Sequence, residues 1–149
     1  MIWAGISMNG KTRPVVVNGN LNSIRYRDEI LAPVVIPYLQ NLGPNAIFQD
    51  ENARSHRARI VNDFLQQHGV TRMDWPSRSP DLNPIENLWD QLGRAVRDRV
   101  TNRTTLVQLR QIVADEWNAL PQNRVRAIIS SMRRRCEATV DALGGSSRY

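Results

Sequence analysis

The apolar residues of this chain change their spacing part-way along, and that change restricts the folds open to it. Before residue 75 they come in short runs rich in Val and Ile, broken by Pro, Gly and Asn; after residue 83 they recur every three or four residues in long stripes. MIWAGIS and TRPVVVNG flank MNGK, where Asn9-Gly10 is a strong turn signal, so an antiparallel hairpin is predicted over residues 2–7 and 12–17. Asn22 or Ser23 can cap a helix through YRDEILAPVVIPYLQNLG, interrupted at Pro33 or Pro37. Residues 46–49 read as a short buried strand. Ile60, Val61, Phe64 and Leu65 then form one face of a helix that stops at His68-Gly69, with His68 capping or facing solvent. VTRMDW supplies another strand at residues 71–74. A proline-rich loop, WPSRSPDLNP, opens an amphipathic helix striped by Ile85, Leu88, Trp89, Leu92 and Val96. Leu106, Leu109, Val113 and Trp117 stripe the next helix. Val125, Ile128, Ile129, Met132, Cys136 and Val140 stripe the last, which ends near Gly144-Gly145. The order is hairpin, helix, strand, helix, strand, helices: an α/β layer with an antiparallel edge and a helical tail.

A chain of 149 residues, 41% hydrophobic, is enough for one domain with its own core. Its net charge of +6 points to a polyanionic partner, or simply to a solvated basic face. Of the 20 basic residues all are Arg except Lys11. Residues 1–93 balance at nine basic and nine acidic side chains, whereas residues 94–149 carry eleven Arg against five acids. The excess therefore sits on the tail, as guanidinium forks suited to phosphate. Cys136 is the only cysteine, so no intrachain disulfide is possible, and its place on an apolar stripe predicts a buried packing role. The longest apolar run, ILAPVVIPYL, is too short to span a bilayer, so no membrane association is expected. No secretory signal, internal repeat or low-complexity segment is expected either.

Two places could carry chemistry. FQDENARSH sets Asp50 and Glu51 side by side at a strand end, where open α/β sheets place their ligands. Neighbouring strand residues face opposite ways, so at most one of the two points into a given pocket. The plain alternative is an acidic pair closing a strand before a turn. In SPDLNPIENLW, Asn83 is an N-cap, Pro84 sits at N1 and Glu86 falls at N3, which fits a capping box. The same Glu86, on the first turn of a rigid helix, is also a good mount for a metal ligand. Spacing alone does not separate these readings.

WPSRSPDLNPIENLW together with FQDENARSHRA resembles the catalytic core of the mariner-superfamily (DDE) transposases, and WAGIS and RRRCEATVDALGG resemble the same family. The likeness covers nearly the whole chain. It implies an RNase H-like sheet, three carboxylates holding two Mg²⁺ or Mn²⁺ ions, and cut-and-paste transposition: DNA cleavage at transposon ends, then strand transfer into a target. Carried over by position, Glu86 matches the third carboxylate. The second lies directly before the motif's Asn, here Asn52, and so falls on Glu51 rather than Asp50, which remains the alternative. Thirty-four residues separate Glu51 from Glu86, the spacing of many members. His56, Asn83 and Pro84 complete the motif match. The family has Asp where this chain has Glu51.

No residue matches the family's first Asp. Asp28, the nearest acid upstream, lies in the predicted first helix. The chain therefore reads as one partial catalytic domain, residues 1–99 forming a core without its first strand and residues 100–149 an Arg-rich helical tail. Weak metal binding, a DNA partner with Arg133, Arg134 and Arg135 as contacts, a homodimer and a nuclear location are the expectations that follow. A non-catalytic nucleic-acid-binding module derived from a transposase is the competing function. Without the strand that joins the hairpin to residues 46–49, exposed pairing groups should leave the isolated chain marginally stable.

Overall fold

The computed structural model describes residues 1–75 and 82–141. The rest of the proline-rich loop (76–81) and the predicted Gly144-Gly145 stop lie outside the described residues. These fall into two compact units: Met1–Gly5 with residues 12–75, and Ile6–Lys11 with residues 82–141.

In the first unit, β1 (Ile2–Trp3) pairs antiparallel with β2 (Val15–Val16), Ile2 opposite Val16 and Trp3 opposite Val15. The ladder is shorter than the predicted strands. Pro14 has no N–H to give it, and Gly5 instead donates to the Thr12 hydroxyl at 2.8 Å. A Cβ on Gly5 would meet the Thr12 methyl at 3.2 Å, so glycine permits that approach. Asn22 caps the next helix, its side chain accepting from the Arg25 amide at 2.9 Å. After a short α1 (Ser23–Arg25) the coil widens into a π-helix over Tyr26–Val35 and tightens again in α2 (Ile36–Leu42). Pro33 lies within the widened stretch, where it removes a backbone donor without ending the helix. Tyr26, Ile30, Leu31 and Val35 from this helix meet Val17, Phe48, Val61 and Leu65 in the unit's core.

Strand β3 (Ile47–Phe48) runs parallel to β4 (Thr71–Arg72), with α3 (Arg59–Gln67) as the crossover between them. Helix α3 ends where its periodicity stops: His68 is its C-cap, bonded through Nδ1 to the Phe64 carbonyl at 2.8 Å, and Gly69 follows with φ of 64°. Among the described residues the β1–β2 and β3–β4 pairs form two separate sheets, and Ile47 is 56% exposed.

The second unit is helical. Helix α4 (Pro84–Arg99) starts at the Asn83 cap with Pro84 in its first turn. Helix α5 (Leu106–Ala119) begins with a capping box between Thr105 and Gln108. Leu88, Leu92, Val113, Trp117 and Val125 are buried here, and Trp89 stacks on Trp117 with ring centroids 5.2 Å apart. The hairpin tip belongs to this unit. Lys11 Nζ donates to the carbonyls of Trp117 (2.7 Å) and Leu120 (2.5 Å) at the C-terminal end of α5, where a cation complements the helix dipole. Gln122 Nε2 and Arg126 Nε donate to the Met8 carbonyl at 3.2 and 2.9 Å.

Three sequence expectations are corrected here. Leu106 is 74% exposed: it shares the face of Val113 and Trp117, but it occupies the first position of α5, about two turns ahead of Val113. The single predicted last helix is two, α6 (Gln122–Ser130) and α7 (Met132–Asp141), parted at Ser131, whose hydroxyl donates to the Ile128 carbonyl at 2.7 Å. That break resets the helical phase, so Arg135 turns inward and Cys136 is exposed rather than packed.

Candidate active site

The two neighbouring acids at the end of β3 have opposite fates. Asp50 is 8% exposed, and both its carboxylate oxygens are taken by Arg72, with Nε to Oδ1 at 2.9 Å and Nη2 to Oδ2 at 2.5 Å. Arg57 approaches the same carboxylate at 3.7 Å. Arg72 also donates from Nη2 to the His56 carbonyl at 2.9 Å and from Nη1 to Asn62 Oδ1 at 2.8 Å. One guanidinium thus ties β4 to the end of β3, to α3 and to the loop that follows Glu51. A planar fork with five donors can do this; an ammonium cannot.

Glu51 is exposed. The chain after it is tied down twice. The Asn52 side-chain amide donates from Nδ2 to the Trp75 carbonyl at 2.7 Å, and His56 Nδ1 lies 3.3 Å from the Glu51 carbonyl. The imidazole is 5% exposed and stacks on Tyr26 with centroids 4.0 Å apart. Burial pulls the His56 pKa below its ordinary value, against the opposing pull of Asp50 and Glu51. The neutral ring with its proton on Nδ1 is the form that fits, because Nδ1 then donates to the Glu51 carbonyl. Burial, reinforced by the Asp50 charge, raises the Tyr26 pKa and keeps the phenol protonated.

Glu86 lies in the second unit, in the first turn of α4. Its amide donates to the Asn83 carbonyl at 3.2 Å, while the Asn83 side chain accepts from the Ile85 amide at 3.4 Å. Pro84 beside it is buried. The three consecutive arginines of α7 part company. Arg133 and Arg134 are exposed, with Arg133 paired to Glu137 at 3.0 Å. Arg135 is 6% exposed, and its guanidinium donates to the Asn87 carbonyl oxygen at 2.9 and 3.2 Å when that amide is oriented to accept. As a DNA contact Arg135 is therefore corrected: its fork is directed at α4, inside its own unit.

The carboxylates of Glu51 and Glu86 are hard oxygen donors of the kind Mg²⁺ and Mn²⁺ accept. Asp50 does not fit that role, since a metal would have to displace Arg72. Among the described residues no three His, Cys, Asp or Glu side chains form a group that could hold a metal ion. The donors present match in kind and fall short in number.

Arg72, Asn62 and Tyr26 escaped the sequence reading. Period two offered a signal for the first: Arg72 is the register partner of Phe48, and Asp50 lies two residues past Phe48, so all three share a face.

With this geometry in view, comparisons with known proteins agree on the class. The catalytic domain of the Mos1 mariner transposase, solved with raltegravir and Mg, superposes with a TM-score of 0.83 at 22% identity over 97% of this chain and 75% of that one. The Mos1 paired-end complex with Mn gives 0.83 at 23%, over 99% of this chain and 44% of that one. The fold is the RNase H-like fold of those catalytic domains. The profile of the DDE superfamily endonucleases matches residues 1–107, and the chain belongs to that family. Its relatives are Tc1/mariner transposases. It is 31% identical to the Tc3 transposase of Caenorhabditis elegans over all of this chain and 45% of the relative. The Tc1 transposase of the same species is 39% identical over 74% of this chain and 40% of the relative. The Tcb2 transposase of Caenorhabditis briggsae is 33% identical over all of this chain and 54% of the relative. The chain spans about half the length of the curated relatives it matches.

Proposed function

We propose that this chain is the part of a transposase that brings two carboxylates, Glu51 and Glu86, to metal-dependent cleavage and joining of DNA. The observation that supports this best is the mount of Glu51, an exposed acid whose neighbours Asp50 and Asn52 are both held through their side chains and whose carbonyl faces His56. Glu51 and Glu86 would hold Mg²⁺ or Mn²⁺, and a bound metal pair activates the attacking oxygen and stabilises the leaving one. Glu51 keeps the charge of an Asp but carries its carboxylate about 1 Å farther out, which favours the more tolerant Mn²⁺ over Mg²⁺. Its DNA partner would be transposon ends and target, engaged by two copies of the protein in the nucleus. Competence needs a further ligand, so the isolated chain binds a divalent ion weakly, with a dissociation constant on the order of millimolar, and does not cleave.

Calorimetry with Mn²⁺ tests this. Glu51→Gln and Glu86→Ala should each abolish the weak isotherm, and Asp28→Asn, at an exposed acid paired with Arg27, should leave it in place. An isotherm untouched by both Glu variants would remove the basis of the reading. The second reading, a nucleic-acid-binding module without catalysis, draws on the Arg excess after residue 93 and the exposure of Arg133 and Arg134. It predicts salt-sensitive DNA binding that Glu51→Gln and Glu86→Ala leave unchanged.

A further inference from the structure

We propose that Arg72 is a positioning residue that decides which of the two neighbouring acids, Asp50 or Glu51, faces outward; the inference rests on the reading of Glu51 as a metal ligand. Asp50 is buried and Glu51 beside it is exposed, so the two neighbours face opposite ways. Arg72 holds Asp50 inward. Its fork takes both oxygens of Asp50, and its remaining bonds reach the His56 carbonyl and Asn62 Oδ1. These four bonds span the chain on both sides of Glu51. His56 closes the loop from the far end through Nδ1 to the Glu51 carbonyl, and its own carbonyl is one that Arg72 holds. Glu51 itself touches none of this with its side chain. Its carboxylate is set by the backbone beneath it, and the backbone is set by Arg72. Lysine at position 72 would keep the charge and lose the fork, so the effect belongs to geometry rather than to charge alone.

The test uses the full chain, ¹⁵N-labelled, with Mn²⁺ as a relaxation probe and amide exchange measured in parallel. In the unaltered chain Mn²⁺ should broaden the amides of residues 51–53, an effect lost in Glu51→Gln and kept in Asp28→Asn, whose exposed carboxylate pairs with Arg27 outside this network. In Arg72→Lys that selective broadening should fall about tenfold, the scale seen when groups supporting a metal ligand are removed, while the chain still melts cooperatively. Exchange of amides 51–56 should accelerate on the order of tenfold. A general loss of packing would not single out the Mn²⁺ effect at Glu51. Unchanged broadening and unchanged exchange would overturn the proposal. If Mn²⁺ broadens nothing near Glu51 in the unaltered chain, the metal reading fails, and exchange then decides: accelerated exchange in Arg72→Lys upholds the positioning role, unchanged exchange ends it. Should Arg72→Lys fail to fold, Asn62→Ala removes only the Nη1 contact. It should shift exchange at 51–56 in the same direction by less, and no shift there would count against the proposal.

Discussion

The two proposed carboxylates are mounted in opposite ways. Glu86 stands on the first turn of a sixteen-residue helix, held by the helix's own hydrogen bonds, an Asn cap and a proline at the start. Glu51 stands on irregular chain past a two-residue strand, held by side chains that arrive from β4, from the π-helix and from the loop ahead of α3. Local rules build the first mount. The second is a tertiary construction and depends on one buried ion pair. Its rigidity is therefore concentrated in few residues, whereas that of α4 is spread over many.

Mutation can break this contrast. Arg72→Met takes both hydrogen bonds from the buried Asp50 and leaves it only the longer Arg57 contact, a change that costs about 3 kcal/mol, and urea melting should show it as the largest single loss. Asn83→Ala removes one cap and should cost about 1 kcal/mol, with the helix otherwise intact by circular dichroism. If the two losses come out equal, the two mounts do not differ as described. His56 sharpens the contrast through pH. Its pKa in the fold lies below the ordinary 6.5, so the unfolded chain binds the proton more readily. Stability from this group is fully present above about 6.5 and declines as pH falls toward the folded value. His56→Gln should flatten that part of the curve, measured as melting temperature between pH 7.5 and 5, and a drop that persists would assign it elsewhere. Smallest in stability is Arg133→Gln with Arg134→Gln, which should change folding by less than about 0.5 kcal/mol. The same pair should lower the salt slope of nonspecific DNA binding by about one to two. An unaltered slope would make these arginines a solvated face only.

What could be read from the sequence follows the same division. The Asn83-Pro84 start of α4, the Ile85 to Val96 stripe and the His68-Gly69 stop were legible because each is specified within a few neighbouring residues. The choice of Glu51 over Asp50 came from motif position, whereas what holds Asp50 inward is a residue 22 positions downstream of it. No local pattern encodes that partner; it appears only once β3 and β4 lie side by side. Cys136 and Arg135 were misplaced for a related reason. A stripe was extended through Ser131 at constant phase, and a one-residue shift there turns the helix face by about 100°, enough to bring Arg135 inward in place of its neighbour Cys136. The widened helix around Pro33 was anticipated as a break, because a missing donor says that the regular pattern must change and not how it changes.

The anchoring of Lys11 has a chemical consequence. It is the chain's one lysine, and its amine is already engaged with the carbonyls at the end of α5. Acetylation or ubiquitin attachment at a lysine side chain would have to pull that amine out of the helix terminus and dismantle the hairpin-tip contact to reach it. All the other basic side chains are guanidiniums, which such acyl-transfer reactions leave alone. The positive charge of this chain is thus carried in a form that lysine-directed modification cannot titrate away.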